Sequence, residues 1–562
     1  QGKYATGVGV QAGETLQGCH AVAVGTASGR TSQADYAVAI GYSAGLTEQK
    51  IHTVAVGVLA GETKQGCSSV AVGREAGQTS QGISAVAVGY VAGQTVQGAN
   101  ATAVGYFAGK TSQGASAVAI GVTAGQTSQG AHSVAIGNVA GLTAQAANSV
   151  AIGVNAGRSN QAAEATAMGN AAGYTGQLAN GTAIGSVAGH SNQGAQGTAV
   201  GREAAKHNQG ANATAVGYLA GSTSQGTYAV AIGSTAGQTT QASEATAIGT
   251  ASGMTSQRFA SVAVGRIAGR YTQGCYSVAV GNAAGHTSQA GYSVAIGSNA
   301  GLSNQETLSV AVGHDCGLTS QGTSSVAMGP YAAQIVQGDF ATAVGREAGQ
   351  VSQGYRAVAV GYAAGDQDQG TEAVAMGYLA GHIDQLDFTT AVGTAAGQSA
   401  QGTQATALGY LAGRASQGAR ATAVGYLAGH VGQAADATAV GRGAGLNSQG
   451  QYAVGIGYQA GCRNQGTYAV AIGVNAAMAS QGDSAVAIGV DAGQCGQGIK
   501  AVAIGARAGE NTQGAAAIAI GEEAGQTTQA ANSIILNATG VALNTTTASS
   551  FHVKPVRGGN MT

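Results

Sequence analysis

The stretch AVAIGVTAGQTSQGAH occupies residues 117–132 and is followed by SVAIGNVAGLTAQAAN at 133–148 and SVAIGVNAGRSNQAAE at 149–164. The same sixteen-residue phrase continues in both directions without an insertion or a deletion. The glycine that ends VAIG, here called the repeat glycine, occurs at residue 9 and at every sixteenth residue up to 521, which gives 33 repeats. A strict period of this kind predicts a solenoid, in which each repeat is one coil that buries its apolar side against its neighbours.

The composition favours a repeat protein over a set of separate globular domains. The 562 residues include 97 Gly, 2 Pro and no Trp, and only 8% of them are charged. Collagen is excluded because it needs Gly at every third residue and abundant Pro. Disorder would need a high net charge or few apolar residues, whereas the net charge is -1 and 44% of the residues are hydrophobic. The near-neutral charge gives no argument for a nucleic-acid partner, and no apolar run is long enough for membrane insertion.

The residues before the repeat glycine predict a β-strand. Three residues and one residue before it stand Val, Thr, Ile, Met or Leu, which alternate with small residues, as Val118 and Ile120 do around Ala119. Alternation that includes β-branched residues is typical of strands, and two fixed glycines in every repeat argue against a helix. We therefore predict an all-β fold, a parallel β-solenoid of 33 coils.

The residue two places before the repeat glycine, here called the strand alanine, is Ala in 31 repeats and Gly in the other two. An exposed position would vary freely, so we expect the strand to be buried on both faces. The medium-sized apolar side chains would then fill a narrow coil, and the small face would approach the backbone of another copy of the chain. The predicted small interchain face includes Ala119, Ala135 and Ala151.

Two glycines in each repeat are predicted to form turns. The repeat glycine is present in all 33 repeats, and the second glycine, four residues later, is Gly in 30 of them and Ala in three. Positions that need a positive φ or a close approach of the backbone favour glycine. The predicted turn glycines include Gly25, Gly41, Gly121, Gly125 and Gly137.

One polar residue never varies. Eight residues after every repeat glycine stands a Gln, here called the repeat glutamine. Coils stack about 4.8 Å apart, so these side chains are predicted to hydrogen-bond to one another along the axis and leave no buried amide unsatisfied. The alternative is a row of amides that binds a ligand. The predicted ladder includes Gln17, Gln33, Gln81, Gln113, Gln129, Gln145, Gln321 and Gln529.

The variable positions of the repeat are predicted to face outward. They hold most of the charged residues and most of the 20 Tyr. Four tyrosines that directly follow a repeat glycine are candidate contacts to a host surface: Tyr90, Tyr106, Tyr218 and Tyr426.

No catalytic, cofactor or metal site is predicted. The Gly-x-x-Ala-Gly phrase lacks the Lys and the strand-to-helix setting of a phosphate-binding loop. Calcium-binding β-rolls need a regular Asp, and the six cysteines form no C-x-x-C pair and never lie in neighbouring repeats. The chain is therefore not expected to be an enzyme.

The phrase SVAIGxxAG, which extends over residues 5 to about 536, resembles the head repeat of YadA-like trimeric autotransporter adhesins. The repeat of that family is usually shorter. The resemblance implies a left-handed parallel β-roll with three chains side by side. Similar TAVGxxA repeats occur in fibre proteins of phages and large viruses.

The last segment, NSIILNATGVALNTTTASSFHVKPVRGGNMT at residues 532–562, resembles the piece that precedes an endosialidase-type intramolecular chaperone. Such a chaperone trimerises fibres and then cuts itself off. The resemblance implies a mature fibre that ends at a cleavage point after Met561-Thr562. The expected organisation is a shaft at 1–531 and a capping and trimerisation segment at 532–562, with a terminating turn at Asn537, which stands in the place of a repeat glycine.

These expectations combine into the structural shaft of a homotrimeric viral or phage fibre that mediates host attachment at the virion surface or outside the cell. Two alternatives stay open: a bacterial trimeric surface adhesin, and an extracellular filament that assembles end to end. The expected partners are other copies of the chain and a host-surface receptor or glycan. The sequence leaves open whether the chains form separate coils, which climb one strand spacing per repeat, or intertwine and climb three.

Overall fold

The computed structural model describes residues 1–556, so the predicted cleavage point after Met561-Thr562 lies outside the described residues. The chain consists of two units, residues 1–280 and 281–562. Within the described part, each unit is a parallel β-solenoid whose coils follow the sixteen-residue repeat, and all of its regular elements are strands. The all-β solenoid predicted from the sequence is confirmed.

Each coil contributes a first strand that covers the three residues before the repeat glycine. These strands extend from Thr6–Val8 to Val278–Val280 in the first unit and from Val294–Ile296 to Ile518–Ile520 in the second. The strand ends at the repeat glycine because the backbone there has a positive φ, which lies outside the β region. The residue three places later donates a backbone hydrogen bond back to that glycine, as Ala156 does to Gly153 O over 3.4 Å.

Each coil also has a second strand, which ends at the repeat glutamine. These strands extend from Thr15–Gln17 to Thr255–Gln257 in the first unit and from Thr287–Gln289 to Asn511–Gln513 in the second. Most have three residues, and four have only two: Glu48–Gln49, Lys64–Gln65, Ser80–Gln81 and Val96–Gln97. In three coils the strand is reduced to isolated bridges, at Thr175, Gln273 and Gln337.

Within each unit, every strand pairs in parallel with the equivalent strand of the next coil. Ala119 lies opposite Ala103 on one side and Ala135 on the other, and Gln113 lies opposite Gln129. The partner strand belongs to the same chain and lies sixteen residues away. The coils are therefore separate ones that stack directly, which answers a question that the sequence left open.

The core of the coil is narrow and is made mainly of alanine, glycine and glutamine, with a buried serine in some coils, such as Ser133 and Ser149. The strand alanine, the alanine before the second glycine, the second glycine and the repeat glutamine all point inward, as Ala119, Ala124, Gly125 and Gln129 do. Glutamines make up nearly all of the largest fully buried side chains of the described residues. The coil therefore depends on close backbone packing and buried amides more than on large apolar side chains.

The predicted orientation of the first strand was wrong. Ala119, Ala135 and Ala151 are 0% exposed inside their own coils, so they cannot form an interchain face. The flanking Val118 and Ile120 point outward instead, and Ile120 is 39% exposed. The physical reason is lack of space, because a Cβ on Gly125 across the coil would lie only 3.2 Å from the Ala119 Cβ.

Replacing Ala119 by leucine should therefore destabilise the coil itself. Three extra carbons have no room in this interior, and overpacking of this kind costs about 1–3 kcal/mol. We expect a lower thermal midpoint by circular dichroism, whereas Val122→Leu on the exposed turn of the same coil should leave it unchanged. An unchanged midpoint for Ala119→Leu, together with a lower oligomer mass, would instead support the prediction that Ala119 lies on an interchain face.

The segment after the last repeat glycine, described to residue 556, closes the second unit with further coil structure. Its strands are Ala524–Gln529, Ile534–Asn537, Leu543–Thr545 and Phe551–Lys554. Ile535 is fully buried where the repeats have the strand alanine, and it pairs with His552 at a spacing of seventeen residues instead of sixteen. At Asn537, Nδ2 donates to the carbonyl oxygens of Glu522 and Val541 over 2.7 and 2.8 Å, which fastens the turn predicted there.

Candidate functional site

The repeat glutamine is the central side chain of every coil. Gln129 is 2% exposed, and its Nε2 donates to the carbonyl oxygen of Val118 over 2.8 Å. Val118 lies on the first strand of the same coil, so the amide crosses the interior and links the two strands. The sequence does not reveal this bond, because it joins residues eleven apart across the coil.

The amides also bond along the axis. Gln113 Nε2 donates to Gln129 Oε1 over 3.1 Å, as predicted for the ladder. In the second unit this contact is unbroken through every coil from Gln289 to Gln529. Gln321 and Gln529 belong to this continuous ladder. A chain of aligned amide dipoles of this length strengthens each of its members.

In the first unit the ladder is interrupted. It is continuous from Gln145 to Gln193 and from Gln209 to Gln273. Several repeat glutamines have a buried Oε1 without a hydrogen-bond partner among residues 1–556: Gln17, Gln33, Gln49, Gln81, Gln97, Gln113, Gln145 and Gln209. The prediction that no buried amide is left unsatisfied is therefore wrong for these oxygens, although each Nε2 donates to a backbone carbonyl.

The repeat glycines Gly25, Gly41, Gly121 and Gly137 have φ between 124° and 131°. A Cβ on Gly121 would lie 2.5 Å from the carbonyl oxygen of Gly137 in the next coil, so both the conformation and the space require glycine. The second glycine, Gly125, has a φ of 53° and faces the Gln129 amide. These glycines set the two turns that bring the glutamine into the core.

The four candidate contact tyrosines are exposed, as predicted, and each occupies the same position of its coil, directly after a repeat glycine. Tyr90 stacks on Tyr106 with 5.2 Å between ring centroids, and the Arg74 guanidinium lies 5.6 Å from the Tyr90 ring. Arg202 lies in the same way over Tyr218, and Arg442 over Tyr426. Each arginine is sixteen residues from its tyrosine, so the repeat period alone could have revealed these cation–π pairs.

A second aromatic column lies at the start of the first unit. Tyr4, His20, Tyr36 and His52 occupy equivalent positions in successive coils and stack with centroids 5.0–5.1 Å apart. Neighbouring ring faces cover one another, and Tyr4 at the end of the column is 81% exposed. The column therefore stabilises the stacking of coils in the way that cross-strand aromatic pairs stabilise sheets.

Threonines of the second strand fasten successive coils. Thr127 Oγ1 donates to the carbonyl oxygen of Leu142 over 3.0 Å, and Thr111 makes the equivalent bond to Gln126. These hydroxyls are therefore engaged within the chain.

In the part of the chain that the structure describes, no group of three or more His, Cys, Asp or Glu could hold a metal ion. Burial raises the pKa of the Cys316 thiol to about 12. Burial, together with the nearby His207 and Lys206, lowers the pKa of His190. The Arg420 guanidinium, which bonds to the Asp436 carboxylate over 2.6 Å, lowers the pKa of that carboxyl group.

Comparison with known protein families gives no matching family model, and comparison with curated proteins gives no significant match. Among residues 1–556, no helix is long and apolar enough to cross a membrane. The class that the fold defines is a parallel β-solenoid repeat protein with an internal glutamine ladder.

Proposed function

We propose that this chain is the structural shaft of a homotrimeric fibre of a virus or phage, exposed at the virion surface, and that it mediates host attachment mechanically. The observation that supports this proposal best is the ladder of repeat glutamines. Each amide ties the two strands of its coil together, and each ladder contact ties one coil to the next. A stack of coils joined in this way resists local opening, which is what a shaft under mechanical force needs.

The unvarying repeat length also supports a shaft. An insertion in one coil would shift the strand faces and break the register of the ladder. No coil within the repeats carries such an insertion, whereas loops that bind small ligands are usually inserted between regular elements. The role proposed for the repeats is therefore mechanical, without catalysis or a cofactor.

The resemblance to YadA-like heads and to viral fibres supports three chains per fibre, and the C-terminal resemblance supports the viral or phage origin over a bacterial adhesin. The adhesin is the second candidate, and the exposed columns of Tyr and Arg support it, because such side chains dominate the energetics of protein surfaces that bind partners.

Electron microscopy of the purified chain tests the proposed shaft. Each unit should contribute roughly 80 Å of rod, because its coils stack about 4.8 Å apart. Diffraction from aligned rods should show that spacing along the rod axis. Compact particles without an axial repeat would contradict the proposal. Fibrils much longer than one chain would favour the end-to-end filament. Binding of the isolated rods to a molecule or matrix of a bacterium's host would favour the adhesin.

A further inference from the structure

The outward positions of the first strand form one continuous surface in each unit. The outer apolar face is defined as the residues three places and one place before each repeat glycine, extended in register to Ile534 and Leu536. Within residues 1–556 all of these residues are Val, Ile, Met, Leu or Thr, and none is charged. Several are well exposed, including Met328 at 43% and Leu408 at 45%.

Other outward positions of the same coils do carry charges. Arg74 and Glu75 follow a repeat glycine directly, and Arg420 and Asp436 form an exposed ion pair at another corner of the coil. Charged residues are thus tolerated on the surface of this solenoid but do not occur on the outer apolar face. A solvent-exposed sheet face would ordinarily carry them for solubility.

The area of the face is too large for a surface that stays in water. The largest apolar patch on a typical monomer is about 300–600 Å². The outer apolar face of one unit exposes on the order of 1,000 Å², if each coil contributes somewhat less than half the area of two medium-sized side chains. That area matches the roughly 800 Å² per partner that a stable interface buries.

We propose that the outer apolar face packs against the same face of a second copy of this chain, parallel and in register. A flat row of side chains that repeats once per coil is matched at every coil only by a surface with the same axial period. Another copy of the chain has that period because it has the same sequence. The inference deepens the proposed fibre function and rests on the self-association proposed there.

The threonines of the face supply the register. Most positions three places before a repeat glycine are Val, but two blocks of four consecutive coils have Thr: Thr166, Thr182, Thr198 and Thr214 in the first unit, and Thr390, Thr406, Thr422 and Thr438 in the second. Within residues 1–556, the hydroxyls of these blocks make no hydrogen bond to their own chain, unlike the second-strand hydroxyl of Thr127.

In a parallel copy at zero offset, each block faces an identical block, and hydroxyls meet hydroxyls. A slip of four coils would set the second block against Val454, Val470, Val486 and Val502 of the other copy, so that its hydroxyls would lose water without gaining a partner. An antiparallel copy that covered the first unit fully would set three threonines of the first block against Val118, Val86 and Val70, and only Thr182 against a threonine, Thr102. The blocks therefore select one alignment against the others, as polar positions do in other repetitive interfaces.

The first test places lysines on the face. Thr422→Lys with Val424→Lys adds two charges at outward positions, and Ala415→Lys with Val431→Lys adds the same charges on the second strand. By sedimentation and light scattering, we expect the wild type and the second-strand variant to have the same multimeric mass, and the face variant to fall to the mass of one chain. All three should have the same circular dichroism spectrum.

The outcomes separate this inference from the proposed function. A wild type with the mass of a single chain, or a face variant that keeps the multimeric mass, would overturn the inference. If the face variant forms single-chain rods in electron microscopy, the proposal of a structural shaft is still supported. Compact particles would contradict that proposal.

The second test reads the register. Thr406→Cys and Val470→Cys, four coils apart, are made separately in a background in which the partly exposed cysteines are serine: Cys19, Cys67, Cys275 and Cys495. Oxidation of each variant alone should cross-link copies through the same residue, and a mixture should give almost no 406-to-470 product. Preferential cross-linking between the two different positions would overturn the in-register alignment.

Discussion

Replacing Gly121 by valine is expected to unfold its coil and to lower the free energy of unfolding by more than about 3 kcal/mol. The φ of 129° is open only to glycine, and a Cβ would lie 2.5 Å from the Gly137 oxygen. The clash is with backbone of the next coil, which cannot move without breaking the parallel pairing on both sides. A solenoid depends on nearest-neighbour contacts, so one broken coil uncouples the coils before and after it.

Thermal unfolding followed by circular dichroism is the measurement, and we expect a lower first midpoint and a second transition from the uncoupled coils. Gly125→Ala is the matched control. The second glycine is already Ala at Ala205, Ala333 and Ala477, with φ of 44–47°, and its neighbour is a movable amide instead of backbone. We expect the control to cost about 1–2 kcal/mol, the usual penalty for a non-glycine residue in the left-handed conformation. Equal effects of the two variants would show that the close approach at Gly121 does not matter.

Replacing Gln129 by leucine is expected to cost about 2–3 kcal/mol, because the Val118 carbonyl loses its side-chain donor and the Gln113 amide loses its acceptor in a dry interior. Adding Gln145→Leu should lower the melting temperature further, since Gln145 Nε2 donates to the Val134 carbonyl oxygen over 2.9 Å and to Gln161 Oε1 over 3.2 Å. Gln129→Glu keeps the shape but removes the donor and buries a charge, so it should be at least as destabilising.

The free energy of unfolding in urea is the measurement for the glutamine variants. Gln126→Leu makes the same exchange three residues earlier, at a half-buried position outside the ladder, and should be nearly neutral. If Gln129→Leu were as neutral as this control, the repeat glutamine would contribute nothing to the stability of the coil and the mechanical proposal would lose its best support.

The sixteen-residue phrase was sufficient to predict the solenoid, its register and the place of the two glycine turns. A period without insertions means that equivalent residues stack, so a glycine or glutamine found in every repeat must meet a condition common to every coil. Gly121 and Gln129 illustrate this, because each owes its role to a contact with its equivalent in a neighbouring coil, Gly137 for the glycine and Gln113 for the glutamine. Such information is periodic and local, and a sequence contains it.

Most coils have three corners with positive φ that were not predicted to be turns. Thr123, Ser128 and His132 have φ of 54–57°, and the equivalent positions vary in residue type along the chain. Because ordinary side chains point outward there, no fixed residue marks the corner. The strain at these corners is offset by the stacking of coils, which the composition of one repeat does not reveal.

The sequence by itself determined that this protein stacks identical coils and that one amide per coil lies inside them. Only the tertiary structure decided which face of the first strand is buried. Both faces of the strand are apolar, so alternation cannot distinguish inside from outside. The decision depends on volume, because the Gln129 amide and the backbone at Gly125 fill the interior and leave room for the methyl group of Ala119 but not for Val118 or Ile120, which face outward.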